Sequence, residues 1–503
     1  MSLPLPVESL NDGGALHPIP SHVSHDIPMV PPPVPKSDDS VYDRLTPRRK
    51  VLITCVVSYC GFLAPMSSTT VLSAIPEVAS TFNTTGDIVG LTNAIYLVFM
   101  GISPCFWAPI SQVYGRRWIS FSSALLFLGC SLGTALSPNL AAFFVFRALT
   151  AFQGTSFLIV GTSCIGDIYR PTERATAMGW YLSGAVIGPA IGPFIAGVIV
   201  TYRSWRVIFY LQAALGGLAT VLVFFFQPET IHQMRSEELI GLSPWKKTHR
   251  ILAWTNPLRV IKLYRYPNLL MTAAASSALV WTQYSLLTPI RYIINPRFSL
   301  QTPIQSGLFY LAPGLGCVAG TFVGGRWADM TVKKWIQIRG VRVPEDRLRS
   351  CIPFLGIIIP GCMLIYGWSI EKRAGGIALP VIVMFLQGCA QLICFPSLNT
   401  YFIDIMQTRS AEAVASNYMV RYFFAAAGSA VVLPAVEKIG VGWFSTISSV
   451  FLVLSAVGIY CTVLWGNSWR DKIEGRNQHH SEKVSDAFSL RSAAQDRDKE
   501  APV

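Results

Sequence analysis

Twelve stretches of apolar residues occupy most of the chain between residues 51 and 465, each long enough to cross about 30 Å of hydrocarbon at 1.5 Å per residue. In order they are Val51 to Leu72, Ile88 to Ile110, Trp118 to Leu136, Leu140 to Ser163, Ala175 to Thr201, Trp205 to Phe226, Asn268 to Tyr292, Ser306 to Gly325, Cys351 to Trp368, Ile377 to Thr400, Val414 to Val436 and Trp443 to Trp465. Hydrocarbon offers no water to satisfy backbone N–H and C=O groups, so segments of this length have to be helical. The expected fold is an all-α membrane protein of twelve transmembrane helices. Composition agrees: 51% of the 503 residues are hydrophobic and 13% are charged, where soluble proteins carry about 25% charged residues. A soluble multidomain enzyme is excluded on that ground.

Polar segments divide the chain. Residues 227–267 carry Arg235, Lys246, Lys247, Arg250, Arg259 and Lys262 and are too hydrophilic to span, so the helices fall six plus six. The expected organisation is a tail over 1–50, a bundle over 51–226, a central loop over 227–267, a second bundle over 268–465 and a tail over 466–503. The first tail is rich in Pro, His and Ser with no apolar h-region, which fits neither a cleavable signal nor a packed core. The second is charged and aperiodic, and both read as disordered.

Orientation follows from Lys and Arg, which are retained on the cytoplasmic side of short loops. With both termini cytoplasmic, the outer loops hold only Arg203, Arg206, Arg291, Arg297, Lys372, Arg373 and Lys438 of the 40 basic residues. The net charge of +13 is thus mostly a topology marker rather than a nucleic-acid surface. The triplet Asn83-Thr84-Thr85 falls in the first outer loop, making Asn83 a glycosylation candidate. The eleven cysteines lie scattered without metal-ligand spacing and read as small buried hydrophobes.

Two joined six-helix halves suggest an internal duplication, as alternating access about a midplane site requires. A local repeat supports it. Ala108-Pro-Ile-Ser-Gln-Val-Tyr-Gly115-Arg116-Arg117 follows the second span, and Gly325-Arg-Trp-Ala-Asp329 with Lys333 and Lys334 follows the eighth. These resemble the two copies of the G-x-L-A-D-R-x-G-R-K loop of the major facilitator superfamily. Arg147-Ala-Leu-Thr-Ala-Phe-Gln153-Gly154 is similar to its arginine motif on the fourth helix, and Gly184-Ala-Val-Ile-Gly188-Pro189-Ala-Ile-Gly192-Pro193 to its antiporter motif on the fifth. With Pro228-Glu229-Thr230 closing the first half, the whole resembles the fungal drug:proton antiporter branch. Ser204 to Phe209, Ser306 to Gly316 and Arg339 to Leu348 are similar to fungal itaconate exporters. The resemblance implies a monomeric plasma-membrane transporter exporting a small organic acid, with efflux of a drug, toxin or secondary metabolite as the alternative and a sensor on the same fold as a different class. The first loop departs from the pattern, with Ala108 and Gln112 where the family carries Gly and Asp. Gln112 offers only neutral hydrogen bonds where a carboxylate gates by charge.

Inside the spans, Gly and Pro cost roughly 1 and 3 kcal/mol relative to Ala, so Gly184, Gly188, Pro189, Gly192 and Pro193 imply close helix approach and a bend. Arg147 and Arg421 are the sharper signals, because a charge in mid-membrane costs on the order of 3 kcal/mol and marks a path or a partner. Asn417 stands one turn before Arg421. Carboxylates near the spans fall at or beyond the predicted ends, so the two arginines, on helices from opposite halves, imply an anionic substrate clamped between them. Asn93, Gln283, Tyr284 and Gln391 are polar candidates for the same cavity. All seven histidines lie outside the spans, so no membrane histidine relays protons. With no G-x-x-x-x-G-K-[ST] loop and no metal or dinucleotide pattern, neither ATP drive, nor a cofactor, nor enzymatic chemistry is expected.

Overall fold

The structure is a computed structural model and describes residues 39–499 except 232–233, 235, 237–240, 242, 256, 291–293, 299–302 and 407–409. Most of the first predicted tail lies outside the described residues.

Among the described residues the regular structure is helical throughout. The long elements are α1 (Pro47–Thr70), α2 (Gly86–Tyr114), α3 (Arg116–Ala135), α4 (Leu140–Ile168), α5 (Arg174–Tyr202) and α6 (Arg206–Phe226). Then come α7 (Pro267–Leu287), α8 (Pro303–Arg339), α9 (Ile359–Lys372), α10 (Ala378–Ile405) and α11 (Ser410–Lys499), the last broken at Gly440, whose φ is +82°. A short helix, Pro244–Trp254, lies in the predicted central loop.

Helix starts show why the chain breaks where it does. Gly115 takes φ +88° between α2 and α3, and the Glu229 carboxylate accepts the orphan backbone N–H groups of Arg116 (2.8 Å) and Arg117 (3.2 Å). A carboxylate there also meets the positive end of the helix dipole. Glu371 does the same beyond Gly440, accepting from the N–H groups of Val441 (3.0 Å) and Gly442 (3.4 Å). Asn139 caps α4 by accepting from Ala142 N–H at 2.8 Å.

Among the described residues, ten helical segments are long and apolar enough to cross a membrane. The predicted spans at 268–292 and 414–436 are helical over much of their length but are not among them. The physical reason is visible in their side chains: α7 buries Thr272, Ser276, Ser277, Thr282 and Ser285, and the first arm of α11 buries Glu412, Asn417 and Arg421. These two helices face protein more than they face lipid.

The repeated motifs also sit differently from expectation. Ala108 to Gln112 belong to α2 and Asp329, Lys333 and Lys334 to α8, so both copies occupy helix ends rather than loops. Likewise α10 runs on to Ile405, and Asp404 is buried within it. At the chain's end the backbone stays helical to Lys499, where an aperiodic tail was expected. Past Gly475 that stretch holds neither Gly nor Pro until Pro502, so nothing in it breaks a helix.

The glycine run of α5 lies against α1. A Cβ on Gly188 would stand 2.8 Å from Phe62 O and 2.9 Å from Met66 N, and one on Gly192 would stand 2.9 Å from Met66 O. The predicted close approach is real, and its partner is a helix of the same half. A second glycine series, Gly316, Gly320 and Gly324 of α8, meets the α10 backbone in the same way. The first six helices meet the later ones chiefly along α5 with α8 and α2 with α11.

Candidate substrate cavity and the latch below it

Between those contact lines lies a cavity of about 30 Å³, lined by α1 (Pro65), α5 (Leu182, Pro189), α7 (Gln283, Tyr284), α10 (Phe395) and α11 (Arg421, Tyr422) among others. Arg421 is its only cation among the described residues. Its guanidinium carbon stands 4.2 Å from the Tyr418 ring centroid and 5.3 Å from those of Tyr422 and Phe395. Buried aromatic faces stabilise a cation by about 0.5–2 kcal/mol each, which offsets the cost of taking Arg421 out of water. Its Nε finds no hydrogen-bond partner. Tyr418, three residues before Arg421 and on the same helical face, was readable from spacing; Phe395 was not.

Two of the polar candidates, Gln283 and Tyr284, line this cavity, and Gln391 is bonded to the first of them. Gln391 Nε2 donates to Gln283 Oε1 at 3.2 Å and to Leu279 O at 3.2 Å. Gln283 Nε2 donates to Val186 O of α5 at 3.5 Å, across the two sets of helices. Tyr284 shares a 3.2 Å hydrogen bond with Ser68 of α1. The other two do not line it. Asn417 turns to α10, donating to Asn399 Oδ1 at 3.2 Å, and Asn93 donates to Ser429 of α11 at 3.2 Å.

Arg147 is also held apart from it. Its Nη1 donates to Ser67 O at 2.8 Å, and its guanidinium carbon lies 4.5 Å from the Tyr96 ring centroid and 5.9 Å from that of Phe209. It is buried among α1, α2 and α6, with Nε and Nη2 unpartnered. Among the described residues no carboxylate pairs with Arg147 or Arg421. The two arginines do not share a cavity; adjacent residues of α1 link them, Ser67 to Arg147 and Ser68 to the Tyr284 that lines the Arg421 cavity.

Toward the end that carries the repeated motifs, a buried charge network closes the molecule. Asp404 of α10 accepts a hydrogen bond from Arg174 of α5 at 2.7 Å and forms ion pairs with Arg342 at 3.0 Å and Arg347 at 3.3 Å. Asp329 accepts Arg347 at 3.3 Å and sits on the first turn of α5, receiving the N–H groups of Ala175 (3.3 Å) and Thr176 (2.8 Å) and the Thr176 hydroxyl (2.6 Å). Arg347 also donates to Pro171 O at 2.6 Å. Nearby, burial pushes the Glu345 carboxyl above its ordinary range, and Arg470 at 3.1 Å offsets part of that. The sequence pointed to Asp329 alone; Arg174, Arg347 and Asp404 lie too far apart in the chain for spacing to connect them.

Among the described residues the first motif copy makes no comparable link. Arg116 pairs with Asp167 at 3.4 Å and donates to Ser111 at 2.6 Å, and Arg117 donates to Phe224 O at 2.7 Å, all within the first six helices. Gln112 is buried, and its Oε1 has no hydrogen-bond partner. Asn83 is exposed in a turn at φ +50° before α2.

The family model of the Major Facilitator Superfamily matches residues 57–429. The chain belongs to that superfamily. It is thus a multi-pass membrane transporter, and its relatives are fungal transporters. Citrate exporter 1 of Aspergillus niger is 24% identical, covering 94% of each chain. The antiporter QDR3 of Candida albicans is 24% identical over 82% of this chain and 77% of its own. Among solved structures, the human organic anion transporter MFSD10 superimposes with a TM-score of 0.63 at 14% identity, covering 82% of this chain and all of its own. The proton:xylose symporter XylE does so at 0.60 and 16%, covering 83% and 96%. At such identities the two structures speak to the fold alone.

Proposed function

We propose that this superfamily member is a secondary transporter that exports a small organic acid, an itaconate-like dicarboxylate, across the plasma membrane by alternating access. The carrying observation is Arg421: a buried cation, free of any carboxylate among the described residues, in a cavity bounded by helices of both sets. One carboxylate of the substrate would take the guanidinium, and Gln283, Gln391 and Tyr284 would orient the rest by hydrogen bonds. Arg147 braces α1 without touching substrate. A cavity of about 30 Å³ holds about one water, so substrate enters only when the two sets of helices part, as alternating access requires.

In this reading α7 and the first arm of α11 complete twelve spans in two six-helix bundles. Both termini are cytoplasmic, the motif end faces the cytoplasm, Asn83 is glycosylated outside and the chain works as a monomer. The relatives' printed names include both an acid exporter and a drug antiporter. A second reading, efflux of an aromatic metabolite, is favoured by the Tyr418, Tyr422 and Phe395 rings around Arg421, which could stack a planar substrate. Counterflow in proteoliposomes with itaconate, citrate and an aromatic amine separates them. Saturable exchange of the acids that Arg421→Gln abolishes supports the first reading; exchange of the amine alone overturns it.

A further inference from the structure

A partly open crevice of about 960 Å³ lies at the motif end between α1, α5 and α8 and shares no lining residue with the Arg421 cavity. Its walls are apolar: Val51, Cys55, Ala177, Trp180 and Met330, of which Val51, Trp180 and Met330 are strongly exposed. Its rim is cationic. Arg326 and Lys333, seven residues apart on one face of α8, are both exposed, and the Lys50 ammonium stands 5.7 Å from the ring of Tyr169, another lining residue. Two carboxylates also border the crevice. Asp329 is taken by Arg347 and the first turn of α5, which leaves Glu173 against three cations. Hydroxyls of Thr54, Ser58 and Thr172 complete the polar edge.

An apolar slot whose walls are exposed at the surface of a helical bundle, rimmed by excess positive charge, matches a lipid with an anionic headgroup. A soluble anion would leave the exposed Val51, Trp180 and Met330 uncovered. We propose that this crevice is a binding site for one anionic phospholipid of the cytoplasmic leaflet, its headgroup held by Arg326 and Lys333 and one acyl chain laid along Trp180 and Met330. The proposal rests on the orientation given above. Because the lipid would touch α1 and α5 of one set and α8 of the other, it binds best when they are together at this end. It therefore shifts the population toward the cytoplasm-closed arrangement by its differential affinity.

Native mass spectrometry of the full chain, extracted from vesicles of equimolar phosphatidylcholine and phosphatidylserine, tests this. The expected result is one retained phosphatidylserine, lost roughly fivefold in Arg326→Gln or Lys333→Gln and about 25-fold in the double variant. Arg203→Gln, an exposed position outside the crevice, leaves retention unchanged. Cys55→Trp, which fills the slot without touching a charge, also expels the lipid, and thermal melting of each variant verifies folding. Equal retention of phosphatidylcholine, undiminished phosphatidylserine in the double variant, or displacement by millimolar inorganic phosphate overturns the proposal. Failure here is separable from failure of the transport reading: Arg421→Gln is expected to stop acid exchange while keeping the lipid.

Discussion

Arg421→Gln tests the transport reading because the structure lets its two consequences be sized separately. For stability, the substitution removes three ring contacts at 4.2, 5.3 and 5.3 Å, each of about 0.5–2 kcal/mol. It also removes the desolvation cost of a buried charge, so the terms oppose one another. Net stability should change by no more than about 1 kcal/mol, a shift of a few degrees in melting temperature. For the substrate, the loss is a charge-assisted contact to a carboxylate, about 2–3 kcal/mol. That corresponds to roughly 30- to 150-fold weaker binding of the acid. Lys in place of Arg keeps the charge but not the fork, so Arg421→Lys should fall between the two. The assay is counterflow KM for itaconate and for its dimethyl ester in proteoliposomes, with melting measured on the same preparations. The dianion's KM should rise in the Gln variant while any exchange of the ester is unaffected. An unchanged dianion KM, or an equal effect on both compounds, refutes the assignment of Arg421 to a substrate carboxylate.

Arg147→Gln should behave differently: with Arg147 bonded to Ser67 O and absent from the cavity lining, melting temperature falls by the equivalent of about 1–3 kcal/mol, and KM does not respond to substrate charge. Asp404→Asn leaves Arg174 and Arg347 without their shared carboxylate, which weakens closure at that end by about 3–5 kcal/mol; hydrogen–deuterium exchange over the first turns of α5 should accelerate, and unaltered protection would show that the network does not latch. Gly188→Leu forces side-chain atoms into the α1 backbone at Phe62 and Met66 and should cost more than about 2 kcal/mol, whereas Gly361→Ala, with open space around it, should lie within about 1 kcal/mol of the parent in thermal melting.

The helical framework was legible because hydrocarbon imposes one rule on every span: backbone groups satisfied within the segment and side chains that tolerate lipid. That rule is weakest where a helix meets protein on most sides, which is why α7 and the first arm of α11 look less like spans than the rest. The arginines show the other limit of reading a face from spacing. Ala151 and Gly154 mark one side of α4 as small, and spacing alone leaves that side facing either another helix or a cavity. In the structure a Cβ on Gly154 would stand 2.7 Å from Ala64 of α1, so the small residues admit a neighbouring helix, and Arg147 is enclosed by the same approach. Periodicity says which residues share a face; it does not say which helix the face meets.

The two motif copies carry that point into mechanism. They are alike as sequence, yet only Asp329 reaches across to the other set of helices, onto the N–H groups that begin α5. Among the described residues the charged links between the two sets at this end, Arg174 to Asp404, Asp329 to α5 and Arg347 to Pro171, all converge on α5 and the segment before it. Gln112, with its Oε1 unpartnered, adds none on the α2 side. Opening at this end must therefore break its charged contacts on one side, while α2 and α11 part through weaker contacts such as Cys105 Sγ with Met419 Sδ at 3.6 Å. The α5 segment that bears this latch is also the one that Gly184, Gly188 and Gly192 press onto α1. Any force that moves α5 thus moves α1 with it, and with α1 the Ser67 and Ser68 that join Arg147 to the lining of the Arg421 cavity.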